Sequence, residues 1–165
     1  MRSTVVPEVA ARQASWRRRT RPRVGVVDRT RIDCVGGIVV DAAGRLLMIK
    51  RGQEPAKGRW SVPGGRKEAG ESDEAATIRE VGEETGLRVV VERLVGTVER
   101  DAPDGSIYVI RDYLCAPVDG IDPAVVQAGD DADDAGWFTE QEVRRLDCSP
   151  GLLDAFDEWG VLLGG

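Results

Sequence analysis

The sequence predicts an α+β fold in which a mixed β-sheet lies between helices, as an α/β/α sandwich. Runs rich in β-branched and aliphatic residues occur at 34–40, 45–50, 88–98 and 106–117. The strongest helix candidate, residues 72–86, separates the second run from the third. Two shorter helical segments follow, at 140–146 and 150–159. Strands and helices mixed along the chain, without an internal repeat, favour a layered architecture.

The length of 165 residues suits one domain. We expect an arginine-rich extension over 1–30 and a single domain over 31–165. Residues 1–31 hold nine arginines against Glu8 and Asp28, and the remainder of the chain is strongly acidic. The chain therefore resembles a basic arm joined to an acidic body. We expect the arm to be mostly irregular, with a short helix over 8–18.

The arm, which includes SWRRRTRPR, leaves three interpretations open. It could be a tail or interface arm, a polyanion-binding segment, or a targeting segment. Trp16 alone is too little for a stacking platform, so nucleic acid is not the expected partner. The sequence has neither an apolar run long enough to cross a membrane nor the apolar segment of a secretory signal. We therefore expect a cytoplasmic protein.

The residue inventory excludes several chemistries. The chain has no histidine, which excludes Ser-His-Asp triads, Cys-His pairs and His-ligated zinc. Its three cysteines lie far apart without a CxxC pair, which argues against a thiolate zinc site and for a reducing compartment. Acid-base work near neutral pH is left to carboxylates, perturbed Lys or Cys, or metal-bound water.

The order of the elements predicts two hairpins and one long loop. The first hairpin joins Cys34–Val40 to Arg45–Lys50 through DAAG, and the second joins 88–98 to 106–117 through APDG. Residues 52–71 hold repeated glycines and two prolines, and structureless loops of that length are usually functional. We expect a loop with several aspartates at 129–136 and a short strand at Trp137–Phe138.

Helix 72–86 carries an unusual acidic cluster. Ser72 is a plausible N-cap and Gly86 can end the helix. At about 100° per residue, Glu80, Glu83 and Glu84 share one arc. The opposite face, expected to pack on the sheet, holds Ala75, Ile78, Val81, Gly82 and Thr85. The arc could be a solvated acidic face, or it could bind a hard divalent cation such as Mg²⁺.

The motif that spans this helix resembles the Nudix box, G-x5-E-x7-R-E-U-x-E-E-x-G-U. Every fixed position matches, at Gly65, Glu71, Arg79, Glu80, Val81, Glu83, Glu84, Gly86 and Leu87. The preceding GRWSVPGG is similar to the family's usual approach, and Glu68 lies where many members carry glutamate. The resemblance extends over about residues 32–160 in element order.

The resemblance implies a Nudix fold and hydrolysis of a diphosphate linkage in a nucleoside diphosphate derivative, with Mg²⁺ or Mn²⁺. It implies that Glu80 and Glu84 are the principal metal ligands and that the Gly65 carbonyl can contribute. Glu83 would be a further ligand or the general base. Arg79 would orient Glu80, and the loop would be supported by Gly64, Glu68 and Glu71. The family often dimerises through N-terminal elements, which leaves a homodimer open.

A further acidic candidate is Asp131. Members of the family often carry an acidic residue near the metals, some six positions before a late tryptophan, and Asp131 has this spacing from Trp137. Asp130 is an alternative. A plain polar loop is the other interpretation.

The substrate is less defined. Pro103 lies sixteen residues after Leu87, as in ADP-ribose-cleaving members, although a turn also explains a proline in APDG. ADP-ribose or an NDP-sugar is the preferred substrate, with Arg51 and Trp60 as candidate contacts. Trp60 could instead pack in the core. A (d)NTP or an oxidised nucleotide is the alternative substrate, and a non-catalytic nucleotide-binding module is the alternative of another class.

Overall fold

The computed structural model describes residues 28–119, 122 and 124–162. These residues form seven strands and three helices: β1 Arg31–Val39, β2 Leu46–Arg51, β3 Trp60–Ser61, β4 Gly64–Arg66, α1 Asp73–Thr85, β5 Val89–Asp101, β6 Ile107–Pro117, β7 Ala132–Phe138, α2 Glu140–Val143 and α3 Leu152–Trp159. The predicted helix over 8–18 lies outside the described residues, as does nearly all of the predicted arm. Within the described part, no helix is long and apolar enough to cross a membrane.

Two sheets form the middle of the domain. The first has the strand order β4-β1-β6-β5 and the second has the order β3-β2-β7. Strand β1 is central because it pairs in parallel with β6 and antiparallel with β4. The sheet is therefore mixed, as the sequence predicts.

The hydrophobic core forms two layers on opposite sides of the strands. One layer joins α1 to the sheets, through residues such as Val39, Leu47 and Val81. The other joins the sheets to the C-terminal helices and centres on Phe156, with Ile38 and Met48 among its members. Neighbouring residues of β1 and β2 thus point into opposite layers, as expected for strands. This arrangement confirms the predicted α/β/α sandwich.

The hairpin predicted between 34–40 and 45–50 is wrong. The turn exists, since Asp41 Oδ1 accepts hydrogen bonds from the amides of Ala43 and Arg45. Beyond the single bridge from Val40 to Leu46, however, β1 joins the first sheet and β2 joins the second. On its two edges β1 pairs with β6 along its whole length and with β4 at Cys34, Val35 and Gly36.

Four other predicted elements differ in the structure. The loop at 52–71 contains the short strands β3 and β4, and the aspartate-rich segment is mostly strand β7, because it pairs with β2. Helix α2 ends at Val143 and α3 begins only at Leu152. The second hairpin is confirmed: β5 pairs antiparallel with β6, and Ala102 N–H donates to the carbonyl of Ser106 across the turn.

Helix α1 begins and ends as predicted but is rotated slightly from the predicted face. Ser72 Oγ accepts a 3.1 Å hydrogen bond from the amide of Ala75, and Gly86 ends the helix with φ of 71°. The buried face includes Ala76 and Thr77 rather than Ala75 and Ile78. The reason is the contact with β1, where a side chain on Gly37 would collide with Val81 and approach Thr77. This rotation also buries Glu84.

Candidate active site

Two consecutive glycines bring two helix carboxylates against the backbone of β4. The amide of Gly64 donates a 2.8 Å hydrogen bond to Glu84 Oε2. A Cβ atom on Gly65 would lie 2.6 Å from both oxygens of Glu80, a separation that a real side chain could not keep. The missing side chain of Gly65 therefore lets Glu80 approach the strand, and the Gly64 amide binds Glu84 beside it.

Arg79 donates hydrogen bonds to three of the glutamates predicted for the site. Its Nε and Nη2 atoms donate to the two oxygens of Glu71, each at 2.9 Å. Its Nη1 donates to Glu80 Oε1 at 2.8 Å and to Glu83 Oε2 at 3.2 Å. Its Nη2 also reaches the carbonyl of Arg66 at 3.2 Å. One guanidinium thus holds three carboxylates and the β4 backbone.

The carboxylates of this cluster differ in electrostatic environment. Burial raises the pKa of Glu84 to about 7, against the hydrogen bond from Gly64. Burial also raises the pKa of Glu80, and the Arg79 guanidinium opposes that shift. Hydrogen bonds from Arg79 lower the pKa of Glu71 to about 2. The negative charge next to the glycines is thus only partly neutralised by protein groups.

The donor set suits a hard divalent cation. Carboxylate and backbone carbonyl oxygens are the ligands that Mg²⁺ and Mn²⁺ take in proteins, and a cation would relieve the cost of burying Glu80 and Glu84. Among the described residues, no three acidic or thiol side chains are arranged to hold a metal directly. The contacts explain this, because Arg79 occupies the space between Glu71, Glu80 and Glu83.

Three further acidic residues were predicted for the site: Glu83, Asp131 and Glu68. The Glu83 side chain is 60% exposed. Asp131 accepts a hydrogen bond from Gln53 Nε2, and its charge contributes to the raised pKa of Glu84. Glu68 contributes its amide, which donates to Glu71 Oε2 at 3.1 Å. The backbone keeps Asp131 close, because the amide of Gly129 donates to the Glu84 carbonyl at 3.0 Å.

A cavity of about 690 Å³ opens beside the glycines. It extends from Gly64 and Gly65 to the start of α3 and is lined by Arg51 among other residues. Its volume is in the usual range for small-molecule sites. Of the residues predicted to contact substrate, Trp60 and Pro103 do not line it. Trp60 packs edge-to-face on Phe138, with ring centroids 4.9 Å apart, and Pro103 is exposed in the turn between β5 and β6.

Two polar residues of the cavity that have unpaired atoms were not predicted from the sequence. Asp112 is only 4% exposed, and Ser149 precedes α3; both line the cavity. Asp112 Oδ1 and Ser149 Oγ are buried and have no hydrogen-bond partner within the described part of the chain. A signal for Asp112 existed, because this aspartate interrupts the otherwise apolar face that Tyr108, Ile110 and Leu114 form on β6. Ser149 has no comparable signal.

The match to a family model decides the affiliation of the chain. The NUDIX domain model matches residues 30–158. The chain belongs to the Nudix family. The matched range contains the glycine pair, the whole of α1, Asp112 and Ser149, so each group described above lies inside the Nudix domain.

Curated Nudix relatives resemble this chain at moderate identity. It is 35% identical over 129 residues to a MutT-like protein of Streptomyces ambofaciens, covering 76% of this chain and 77% of that protein. It is 35% identical over 108 residues to an ADP-ribose pyrophosphatase of Methanocaldococcus jannaschii, covering 66% and 62%. It is 38% identical over 63 residues to a putative 8-oxo-dGTP diphosphatase of Bacillus subtilis, covering 38% and 40%.

The fold is also similar to a solved structure. The MutT protein from Methanosarcina mazei Go1 superposes with a TM-score of 0.69 at 21% identity, covering 81% of this chain and 96% of that chain. At this identity the likeness concerns the fold alone. With the family match and the curated relatives, the chain is a Nudix hydrolase of nucleoside diphosphate derivatives, an enzyme class that generally needs a divalent metal.

Proposed function

We propose that this Nudix hydrolase cleaves the diphosphate linkage of ADP-ribose or of an NDP-sugar, with Mg²⁺ or Mn²⁺ as its metal. The relative named as an ADP-ribose pyrophosphatase supports this substrate class. The observation that carries the proposal is the position of Glu80 and Glu84. Both carboxylates lie on the Gly64–Gly65 backbone, and the same two glycines line a cavity large enough for a nucleotide.

In this proposal Glu80 and Glu84 hold the cation together with the Gly65 carbonyl. A divalent ion bound there would neutralise diphosphate charge and polarise the attacking water. Arg79 positions Glu80 through its 2.8 Å hydrogen bond, and Glu71 fixes Arg79 in turn. Gly64 and Glu68 keep the loop in place through their amides, which donate to Glu84 and Glu71.

The proton of the attacking water needs an acceptor. The chain has no histidine, and this proposal assigns the proton to a carboxylate, with Glu83 and Asp131 as the candidates. Glu83 is far more exposed than Glu80, which leaves it accessible to a water beside the cation. Asp131 contributes its charge to the environment of Glu84 and accepts a hydrogen bond from Gln53. Water attack on phosphorus breaks the bridging P–O bond and releases two phosphate products.

A nucleoside triphosphate or oxidised nucleotide is the second candidate substrate. The Bacillus subtilis relative named as a putative 8-oxo-dGTP diphosphatase favours it. Both candidates contain a nucleoside joined to a diphosphate, so they would place the same atoms at Glu80 and Glu84. They differ in the group beyond the phosphates, a second sugar in one and a terminal phosphate in the other.

A hydrolysis screen tests the proposal. ADP-ribose, NDP-sugars, dinucleoside polyphosphates, (d)NTPs and 8-oxo-dGTP are incubated with Mg²⁺ or Mn²⁺, and products are separated by ion-exchange chromatography. We expect the highest kcat/KM for ADP-ribose or an NDP-sugar and no turnover with EDTA. A clear preference for a triphosphate would replace the first candidate by the second. Metal-dependent binding of a nucleotide without any turnover would indicate the non-catalytic module.

Matched glutamine variants test the site. Glu80→Gln and Glu84→Gln should each reduce kcat by about a hundredfold or more, because each removes a charge that holds the cation. Glu74→Gln is the control, since Glu74 is an exposed residue in the first turn of the same helix. All three variants should keep the wild-type circular dichroism spectrum. Retained Mg²⁺-dependent hydrolysis in Glu80→Gln or Glu84→Gln would disprove the assigned site.

A further inference from the structure

The cavity beside Gly64 and Gly65 contains two polar atoms that are unusual for a protein interior. Asp112 Oδ1 and Ser149 Oγ are buried without a hydrogen-bond partner among the residues that the structure describes. Such groups are uncommon, because each loses its hydration without compensation. Both belong to residues that line the same cavity. A ligand in that cavity would therefore meet an unpaired carboxylate oxygen and an unpaired hydroxyl.

The backbone around Asp112 explains why its oxygen stays unpaired. Asp112 is paired in register with Gly36 of β1, and a side chain on Gly36 would collide with Asp112 Oδ1. Gly36 therefore leaves room for the carboxylate without offering a side-chain donor. Burial raises the pKa of Asp112 and the charge of Arg100 opposes that shift, but the hydrogen bonds of Arg100 go to the carbonyls of Glu99 and Gly151.

The cavity wall combines apolar and charged side chains. Its apolar part, which suits a flat ring, is formed by Val35, Val62, Val98, Ile110, Leu152 and Ala155, and Arg51, Arg59, Arg66 and Arg100 also line the cavity. An aromatic heterocycle could contact this wall with its faces while its edge reaches the polar atoms. A phosphate group would be repelled by Asp112, and it already has a proposed place beside Gly64 and Gly65. An aliphatic group would leave both oxygens unpaired.

We propose that Asp112 and Ser149 bind the nucleobase of the substrate, with Asp112 accepting a hydrogen bond from a base amino group and so selecting bases that carry one. The proposal rests on the proposed function in taking a nucleotide as the ligand. Ser149 Oγ can donate to a ring nitrogen or carbonyl of the same edge, or accept from it. Selection of this kind is strong, because an analogue that lacks the donor leaves a buried carboxylate unpaired.

Binding of nucleoside 5′-monophosphates tests the proposal independently of turnover. Isothermal titration calorimetry in EDTA compares two pairs that each differ by one amino group: AMP with purine riboside 5′-monophosphate, and GMP with IMP. In at least one pair the wild type should bind the amino-bearing member about tenfold or more tightly. Asp112→Leu should bring that ratio to about one, and Asp112→Asn should lower it partly.

Two further variants complete the design. Ser149→Ala should weaken binding of the preferred nucleotide several-fold. Asp119→Asn is the matched control, because Asp119 is exposed just beyond the end of β6, and it should keep the wild-type ratio. Asp112→Leu and Asp112→Asn should unfold at or above the wild-type temperature, since they remove an unpaired buried carboxylate. A lower unfolding temperature in both would indicate that Asp112 has a structural role and would overturn the proposal.

The remaining outcomes are also decisive. Equal wild-type affinity within both pairs, or a ratio that survives in Asp112→Leu, overturns the proposal. A change in discrimination between ribose and 2′-deoxyribose instead of between bases would assign Asp112 to the sugar and overturn it as well. If the enzyme binds the amino-bearing nucleotide selectively but hydrolyses nothing in the substrate screen, the proposed function fails and the base site stands.

Discussion

Arg79 and Glu71 form a two-pronged ion pair in which Nε and Nη2 of the guanidinium each donate a 2.9 Å hydrogen bond to one oxygen of the carboxylate. Bidentate pairs of this type fix orientation as well as charge. The third guanidinium nitrogen is thereby aimed at Glu80 and Glu83. Glu71 is eight residues before Arg79 and lies outside α1, so the pair also joins the glycine-rich loop to the helix.

The first prediction concerns this pair. Glu71→Gln leaves one oxygen to accept from Arg79 and removes the charge, so the guanidinium should lose its fixed direction toward Glu80. We expect kcat to fall about tenfold, with a smaller change in KM, because substrate binding in the cavity is left intact. Steady-state kinetics on the preferred substrate measures this. Glu92→Gln, at an exposed position of β5, should have wild-type kinetics; an unchanged kcat in Glu71→Gln would contradict the positioning role.

A second prediction follows from the contact between Gly65 and Glu80. In Gly65→Ala the new methyl group would lie 2.6 Å from the Glu80 oxygens, so the carboxylate must move off the strand. Turnover should fall at least about tenfold, and the concentration of Mg²⁺ needed for half-maximal rate should rise. The control is Gly82→Ala in α1, where the added methyl group has only one neighbour, at 3.9 Å.

Gly82→Ala should keep activity and raise the free energy of unfolding by about 0.5–1 kcal/mol, because alanine is the better helix former. Urea unfolding and steady-state kinetics on the two variants separate the effects. Equal activity in Gly65→Ala and Gly82→Ala would show that the close approach of Glu80 to the strand is not needed.

The third prediction concerns pH and Asp112. Burial raises the pKa of Asp112 to about 6 from its ordinary value of 3.8. Between these values the native state holds a proton that the unfolded chain has released, so the free energy of unfolding falls as pH rises and levels off above the native pKa. Asp112→Asn lacks this dependence. Its stability advantage over the wild type should grow by about 1–1.5 kcal/mol between about pH 5 and pH 7.5.

Urea unfolding at several pH values measures this difference, and Asp119→Asn serves again as the control. A stability difference between Asp112→Asn and the wild type that is independent of pH would mean that Asp112 is ionised throughout the range. In that case its carboxylate would be paired in solution.

The fourth prediction concerns the junction with the N-terminal segment. Arg29 donates to Asp101 Oδ1 at 2.7 Å and to the carbonyls of Gly105 and Ser106. Removing residues 1–27 preserves these contacts and the whole matched range, so turnover should stay within about twofold of the full chain. Arg29→Ala in the full chain should lower stability by about 1 kcal/mol. A large loss of turnover on truncation would show that residues 1–27 complete the site or an oligomer.

The helix and its glutamates were predictable because local rules determine them. Ser72 and Gly86 mark its ends, and the spacing of Glu80, Glu83 and Glu84 places them on one arc. What the spacing did not predict is the rotation of the helix on the sheet. That rotation depends on Gly37, which is distant in sequence and makes room for Val81.

The separation of β1 from β2 was unpredictable for a related reason. A short turn between two apolar runs favours a hairpin by every local criterion, but β6 and β4 occupy the edges of β1 from remote parts of the chain. The same applies to the cavity. Asp112 and Ser149 are 37 residues apart and line one cavity only because the fold brings β6 and the segment before α3 together. The clustering of glutamates within one motif can be predicted from sequence, whereas a pocket built from distant elements cannot.

One face of strand β6 packs on helix α1, and the other face lines the cavity. Tyr113 and Cys115 face the helix, where the hydroxyl of Tyr113 donates to Asp73 Oδ2 at 2.7 Å. Tyr108, Ile110 and Asp112 line the cavity. We expect a mutation at Ile110 or Asp112 to leave the helix packing intact, whereas Tyr108 accepts a hydrogen bond from Arg66, whose carbonyl in turn accepts one from Arg79. We therefore expect substitutions at Ile110 or Asp112, natural or in a directed library, to change which substrate binds while the glutamates are kept.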